Sequence, residues 1–133
     1  MRFTPCYKQI GITYDRYKEL EHFCKDYPNW MAEANSLLGI RATRNDGMPH
    51  GSGTSDPVVM AAERREKLLA KMAIVEECLR SIGDGKWYAA MYQHVCLGKK
   101  YEMIPKTIMP TSDSNTFYRQ RRNFYDMLDK KKD

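Results

Sequence analysis

The fold is decided by the longest periodic stretch of the chain, residues 55–83, which reads SDPVVMAAERREKLLAKMAIVEECLRSIG. It opens with a capping side chain followed by proline, a strong helix start, and it closes on glycine, a typical helix end. All of its eight heptad positions except Arg65 are apolar, the others being Val58, Ala61, Leu68, Met72, Val75, Leu79 and Ile82. This heptad seam predicts one long helix, Pro57 to Ile82, that packs on another helix of the chain or on a second protomer.

Upstream of that helix, the sequence predicts a helical pair followed by a loop. Asp15–Asp26 and Pro28–Leu38 carry apolar residues at helical spacing, and the proline separates the two segments. Residues 1–12 are expected to be irregular, because proline and glycine interrupt them. Residues 39–56 hold four glycines and read as a loop. No phosphate-binding motif follows a strand there, so we predict no nucleotide site.

Downstream, a second helical pair is predicted. A helix is predicted at Lys86–Leu97, followed by a helical turn at Lys100–Ile104. Residues 105–111 should form an extended connector, because prolines interrupt them. The last helix is expected to start within Thr111–Ser114 and to run to about Asp129. The predicted fold class is therefore all-α. It comprises an N-terminal helical hairpin with its loop (1–56), one long central helix (57–85) and a C-terminal helix-turn-helix (86–133).

Several classes of protein are disfavoured by what the sequence lacks. No apolar run is long enough to span a membrane and the N-terminus does not resemble a signal peptide, so we expect a cytoplasmic protein without a membrane partner. The cysteines lack the paired spacing of zinc ligands, and reduced core thiols are favoured over two disulfides or one zinc site: Cys6, Cys24, Cys78 and Cys96. The three histidines fall in three different elements and no catalytic motif is present. We therefore predict no enzyme activity, no metal and no cofactor.

The net charge of +5 is unevenly distributed along the chain. Residues 1–56 and 57–85 are each neutral, whereas residues 86–133 hold ten Lys/Arg and five Asp/Glu. The last lysines, Lys130 to Lys132, account for only part of this excess. A segregated basic charge predicts a surface that faces a polyanion, with a solvated basic tail as the alternative.

The last helix has two chemically distinct faces on a helical wheel. Phe117, Phe124 and Leu128 cluster on the side expected to anchor the helix. Arg119 and its polar neighbours lie on the opposite side, with the Asn and Arg side chains that contact adenine and guanine edges in the major groove. Hydroxyl groups near the helix start and two lysines before it are expected to contact phosphates. The predicted DNA contacts are Lys99, Lys100, Ser112, Ser114, Asn115, Thr116, Tyr118, Arg119 and Arg122.

Three stretches also resemble a known family: DYPNW at 26–30, GMPHGSGTSDP at 47–57 and TFYRQRRNF at 116–124. They are similar to the RinA/ArpU-type phage transcriptional regulators, small helical proteins that end in a helix-turn-helix like the promoter-recognition domain of sigma factors. The resemblance implies sequence-specific binding of double-stranded DNA and control of phage or prophage late genes. It also implies action in the cytoplasm of a bacterial host, with contact to the host RNA polymerase.

Two other function classes stay open at this point. A small terminase subunit, which recognises viral DNA for packaging and assembles into a ring, shares the helices, the DNA-binding region and an oligomerising helix. A purely structural or adaptor protein would have no nucleic-acid partner. For the regulator and the terminase alike, the 57–82 helix is the candidate surface for homo-oligomerisation.

Overall fold

The computed structural model describes residues 4–43 and 56–133, and every regular element within these ranges is helical. The α-helices of the described residues are α1 (Cys6–Ile10), α2 (Tyr14–Lys25), α3 (Tyr27–Thr43), α4 (Pro57–Ser81), α5 (Tyr88–Val95) and α6 (Ser114–Lys131). Short 3₁₀ segments lie at Ile82–Gly85, Tyr101–Met103 and Lys106–Ile108. The predicted all-α class with a long central helix is confirmed.

Helices α3, α5 and α6 pack on α4, and α3 lies antiparallel to it. Three contacts show the direction, since they proceed down one helix and up the other. The Tyr27 hydroxyl donates to Glu76, the Lys71 ammonium lies 5.6 Å from the Trp30 ring centre, and Arg64 pairs with Glu33 at 2.7 Å.

The predicted heptad seam of α4 is buried within the chain. Six of its eight positions are buried, namely Ala61, Leu68, Met72, Val75, Leu79 and Ile82, whereas Val58 and Arg65 are half-buried. Burying one large aliphatic side chain contributes roughly 1.5–3 kcal/mol, so this seam is a main source of stability. Of the two partners that the sequence left open for the seam, the chain itself supplies the packing.

The N-terminal segment differs from the prediction of an irregular 1–12. Residues Cys6–Ile10 form a single helical turn, in which the Pro5 carbonyl accepts from the Lys8 and Gln9 amides at 3.1 and 3.2 Å. Gly11 ends the turn in the left-handed conformation, with φ of 78°. The proline and glycine therefore bracket a short helix, which packs its buried Cys6 against the core.

The break between the first two long helices lies one residue earlier than predicted. Only Asp26 separates α2 from α3, and Tyr27 is helical although it precedes proline. Its burial and its hydrogen bond to Glu76 offset the steric preference of that position. Helix α3 continues to Thr43, so it overlaps the start of the loop predicted at 39–56. The rest of that loop, with most of the 47–57 motif, lies outside the described residues.

A left-handed turn connects α4 to α5. Gly83, Asp84 and Gly85 all have positive φ, and Asp84 is the one described non-glycine residue in this region of backbone space. A Cβ added at Gly83 would overlap Cδ1 of the buried Trp87. The break lies at the glycines where the sequence predicted it, but Lys86 and Trp87 still belong to the turn, so α5 begins at Tyr88 instead of Lys86.

The last two helices are joined by residues 96–113, a longer connection than the three- or four-residue turn of a typical helix-turn-helix. The stretch 105–111, predicted to be extended, contains one 3₁₀ turn in which the Pro105 carbonyl accepts from the Ile108 amide at 3.2 Å. The connection is held to the fold by the buried Ile104 and by the Tyr101 hydroxyl, which donates to the Ser112 carbonyl at 2.9 Å. These contacts fix the path of the connection into α6, although the connection is long.

All four cysteines are free and buried, as predicted for core thiols. Burial raises the pKa of Cys78 to about 11 and that of Cys96 to about 12. The thiols therefore stay protonated near neutral pH and act as small apolar groups in the packing.

Candidate nucleic-acid interface

One face of α6 is fully embedded in the core, as the wheel predicted. Phe117, Phe124 and Leu128 have no exposed surface. The Phe117 ring is surrounded by aromatic groups, with ring centres 5.0 Å from both His94 and Tyr101. This packing fixes the rotation of the helix about its axis, so the opposite face is held toward solvent.

The C-terminal end of α6 is clamped by a single arginine from α2. Arg16 Nε lies 2.7 Å from the Asp129 carboxylate, and its terminal nitrogens donate to the backbone carbonyls of Asp129, Lys132 and Asp133 at 3.1, 2.6 and 3.2 Å. A planar guanidinium suits this site because its donors form a fixed fork. A cation is also favoured at the C-terminus of a helix, where the last backbone carbonyls have no partner within the helix. Sequence periodicity gave no signal for this contact, since the partners are more than 110 positions apart.

The N-terminus of α6 is capped by a carboxylate. Asp113 accepts from the Asn115 amide at 3.0 Å and from the Thr116 hydroxyl at 2.8 Å. Two serines were predicted to contact phosphates through their hydroxyl groups. Ser112 is exposed and Ser114 is half-buried. The negative cap competes with a phosphate at the helix axis, so a phosphate is favoured beside the axis, nearer to the flanking cations.

The solvent face of α6 carries the predicted base-contacting residues. Asn115 and Arg119 are exposed and one helical turn apart, and neither side chain has a hydrogen-bonding partner among the described residues. Asn123 continues the face by a further turn. Arg122 stands at its edge, half-buried, and donates to Gln9 of α1 at 2.8 Å. The structure thus brings Asn115 and Arg119 together and commits Arg122 partly to the fold.

Sequence reasoning missed the role of Arg121. Its guanidinium lies 4.9 Å from the centre of the Tyr118 ring, and its Nε is buried without a partner. On the wheel, residue 121 falls between the anchoring positions and Tyr118, which is the one signal that could have placed it. Arg121 therefore helps to orient Tyr118 through a cation–π contact. Tyr118 is 40% exposed and lies beside the solvent face.

Lys99 and Lys100 follow α5 at a fixed backbone turn. Gly98 has φ of 74°, the Lys99 amide donates to the Gln93 carbonyl at 3.0 Å, and the His94 ring nitrogen Nδ1 lies 2.8 Å from the Lys99 carbonyl. A carbonyl can only accept, so His94 carries its proton on Nδ1. Burial lowers the pKa of His94, which keeps the ring neutral at pH 7. Both lysine side chains are exposed.

Ion pairing separates the basic residues of this region into two groups. Each tail lysine has a carboxylate partner: Lys130 pairs with Asp126 at 3.4 Å, Lys131 with Glu77 at 3.3 Å, and Lys132 with Glu19 at 3.4 Å. No carboxylate of the described residues pairs with Lys99, Lys100, Lys106, Arg119, Arg121 or Arg122. Six cations without a carboxylate partner among the described residues therefore lie on α6 and on the segment before it.

Within residues 4–43 and 56–133, no three His, Cys, Asp or Glu side chains are grouped so that they could hold a metal ion. No helix of the same residues is long and apolar enough to cross a membrane.

Comparison of the chain with protein-family models, with curated proteins and with solved structures gave no match.

Proposed function

We propose that this protein binds double-stranded DNA in a sequence-specific manner through the solvent face of α6. The observation that carries the proposal is the combination on one helix of a fully buried aromatic face and an opposite face with unpartnered Asn115 and Arg119. Arg and Asn present paired donors and acceptors that match guanine and adenine in the major groove. A helix held rigidly from behind, with such groups in front, has the chemistry of a recognition helix.

Lys99 and Lys100 supply the complementary contacts to the phosphate backbone. Their side chains are exposed and their backbone is fixed by hydrogen bonds on both sides of Lys99. Phosphate contacts position a protein on DNA without reading its sequence. Lys106 is exposed and has no carboxylate partner among the described residues, and it extends this basic surface along the segment that leads into α6.

In its biological setting we propose a transcriptional regulator of phage or prophage genes that acts in the bacterial host cytoplasm. The resemblance of three stretches to the RinA/ArpU-type regulators supports this assignment, as does the basic surface around α6. Control of late genes and contact with the host RNA polymerase follow from the same resemblance and remain proposals.

The test is DNA binding measured by fluorescence anisotropy at several salt concentrations. With about four to six phosphates contacted, log K should fall with log[salt] at a slope of roughly −4 to −5. Lys100→Ala should weaken binding to all sequences alike and reduce the slope by about one unit. Lys131→Ala is the matched control, because this lysine is already paired with Glu77 on the flank of α6. Affinity without salt dependence, or equal losses in both variants, would contradict the proposed interface.

A further inference from the structure

Helix α4 carries a second apolar stripe beside its buried heptad seam, and Val58 belongs to both. Val58, Ala62, Leu69 and Ala73 fall within about 60° of one another on the wheel, and Leu69 is 37% exposed. With the 46% exposed Leu38 of α3, residues of this stripe line a groove of about 410 Å³ on the outer side of the α3–α4 pair. Apolar residues in heptad-like spacing on a solvent face are typical of a helix that has a further helical partner.

Two charged residues that flank the middle of this stripe have no partner among the described residues. Arg65 is half-buried in the groove wall, and its Nε is buried without a hydrogen-bond acceptor. Glu66 is exposed and no cation of the described residues pairs with it. A buried donor left without an acceptor is costly, so a carboxylate placed opposite Arg65 would be favourable.

We infer that the stripe is the interface between two copies of this chain, with their α4 helices antiparallel about a two-fold axis midway between residues 65 and 66. This register places Arg65 of one copy opposite Glu66 of the other, in two symmetric pairs. The same register sets Ala62 opposite Leu69 and Val58 opposite Ala73, so that small side chains meet larger ones. The surface is therefore complementary to itself in charge and in size, which is what a two-fold interface requires.

The register also leaves the proposed DNA surface accessible. Helix α6 packs near the C-terminal end of α4, where Lys131 contacts Glu77. In the antiparallel pair the two copies of Leu79 lie on the order of 40 Å apart along the helix axis, at a rise of about 1.5 Å per residue. The two α6 helices then lie toward opposite ends of the dimer.

Sedimentation equilibrium over a wide concentration range, without DNA, tests the inference. The wild type should dimerise reversibly. Arg65→Glu or Glu66→Arg alone should weaken self-association by about tenfold or more, because each substitution makes both symmetric pairs repulsive. The double variant R65E/E66R should recover most of the wild-type affinity, since it exchanges the charges and keeps the pairing.

Lys67→Glu is the matched control, because this exposed lysine lies on the other side of α4 and its charge reversal should leave the dimer unchanged. Thermal unfolding by circular dichroism checks that each variant is folded. A wild type that stays monomeric, a larger ring, or single variants that the double variant does not rescue would each overturn the inference. None of these results bears on DNA binding by α6, so the proposed function stands or falls separately.

Discussion

Replacement of Arg16 by methionine tests whether α6 is held in place from its C-terminal end. The methionine keeps most of the apolar stem but removes the guanidinium that pairs with Asp129 and donates to three backbone carbonyls. A hydrogen bond to a charged group contributes about 1.5–3 kcal/mol, and a cation at a partly buried helix C-terminus up to about 2 kcal/mol. The Arg16 side chain is 23% exposed, so water replaces some of these contacts in the variant. We expect a net loss of about 2 kcal/mol, toward the lower end of these contributions.

The assay is urea unfolding monitored by circular dichroism, with thermal unfolding alongside it. For a chain of this size, a loss of 2 kcal/mol corresponds to a fall in Tm of about 6–10 °C. Arg16→Lys should recover only part of the loss, because an ammonium lacks the fixed fork of the guanidinium. The matched control is Arg64→Met, which breaks an arginine–carboxylate pair of the same 2.7 Å distance at a much more exposed site, and it should produce no measurable change. If both arginine variants gave the same result, the proposed clamp on α6 would be refuted.

Three further predictions concern Leu68 of α4, Gly83 in the turn that follows α4, and His94 of α5. Gly83→Ala should lower the free energy of unfolding by about 1–3 kcal/mol, because the added Cβ meets the Trp87 ring at a residue with φ of 53°; an unchanged urea midpoint would contradict the close approach. Leu68→Ala should cost about 2–5 kcal/mol at a fully buried seam position, and intact folding of Leu68→Asp would contradict the burial of the seam. Burial lowers the pKa of His94 in the folded state, so unfolding below pH 6.5 is coupled to proton uptake. The contribution of His94 to the free energy of unfolding should therefore be fully present above pH 6.5 and should be lost as the pH falls toward the lower pKa of the folded state. His94→Gln should flatten the stability profile below about pH 6.5, the pKa of an unperturbed histidine, and an identical profile would exclude His94 as its source.

The parts of the fold that the sequence predicted are those with long periodic signals. The buried positions of α4 and the anchoring face of α6 follow from spacing alone, because an amphipathic helix must bury its apolar side wherever its partner lies. The charge segregation similarly identified the basic region, although the fold then neutralises the tail lysines by ion pairs to α2, α4 and α6.

The parts that the sequence did not predict depend on contacts between distant residues. The one-turn helix α1 is held by packing of Cys6 on the core, and the left-handed turn at Gly83 is shaped by the Trp87 ring above it. Both contain glycine or proline, which local reasoning treats only as interruptions. The burial of the Arg121 Nε depends on where α6 packs, and no helical wheel of a single segment contains that information.

Selection of bound fragments from random double-stranded DNA, followed by sequencing, tests the central claim most directly. The wild type should enrich a defined motif. Arg119→Ala should cost about 1–3 kcal/mol on that motif and relax the preference at one base pair, and its combination with Asn115→Ala should abolish the motif while the salt-dependent affinity persists. Enrichment of no motif by the wild type, or of an unchanged motif by the double variant, would contradict DNA recognition by the solvent face of α6.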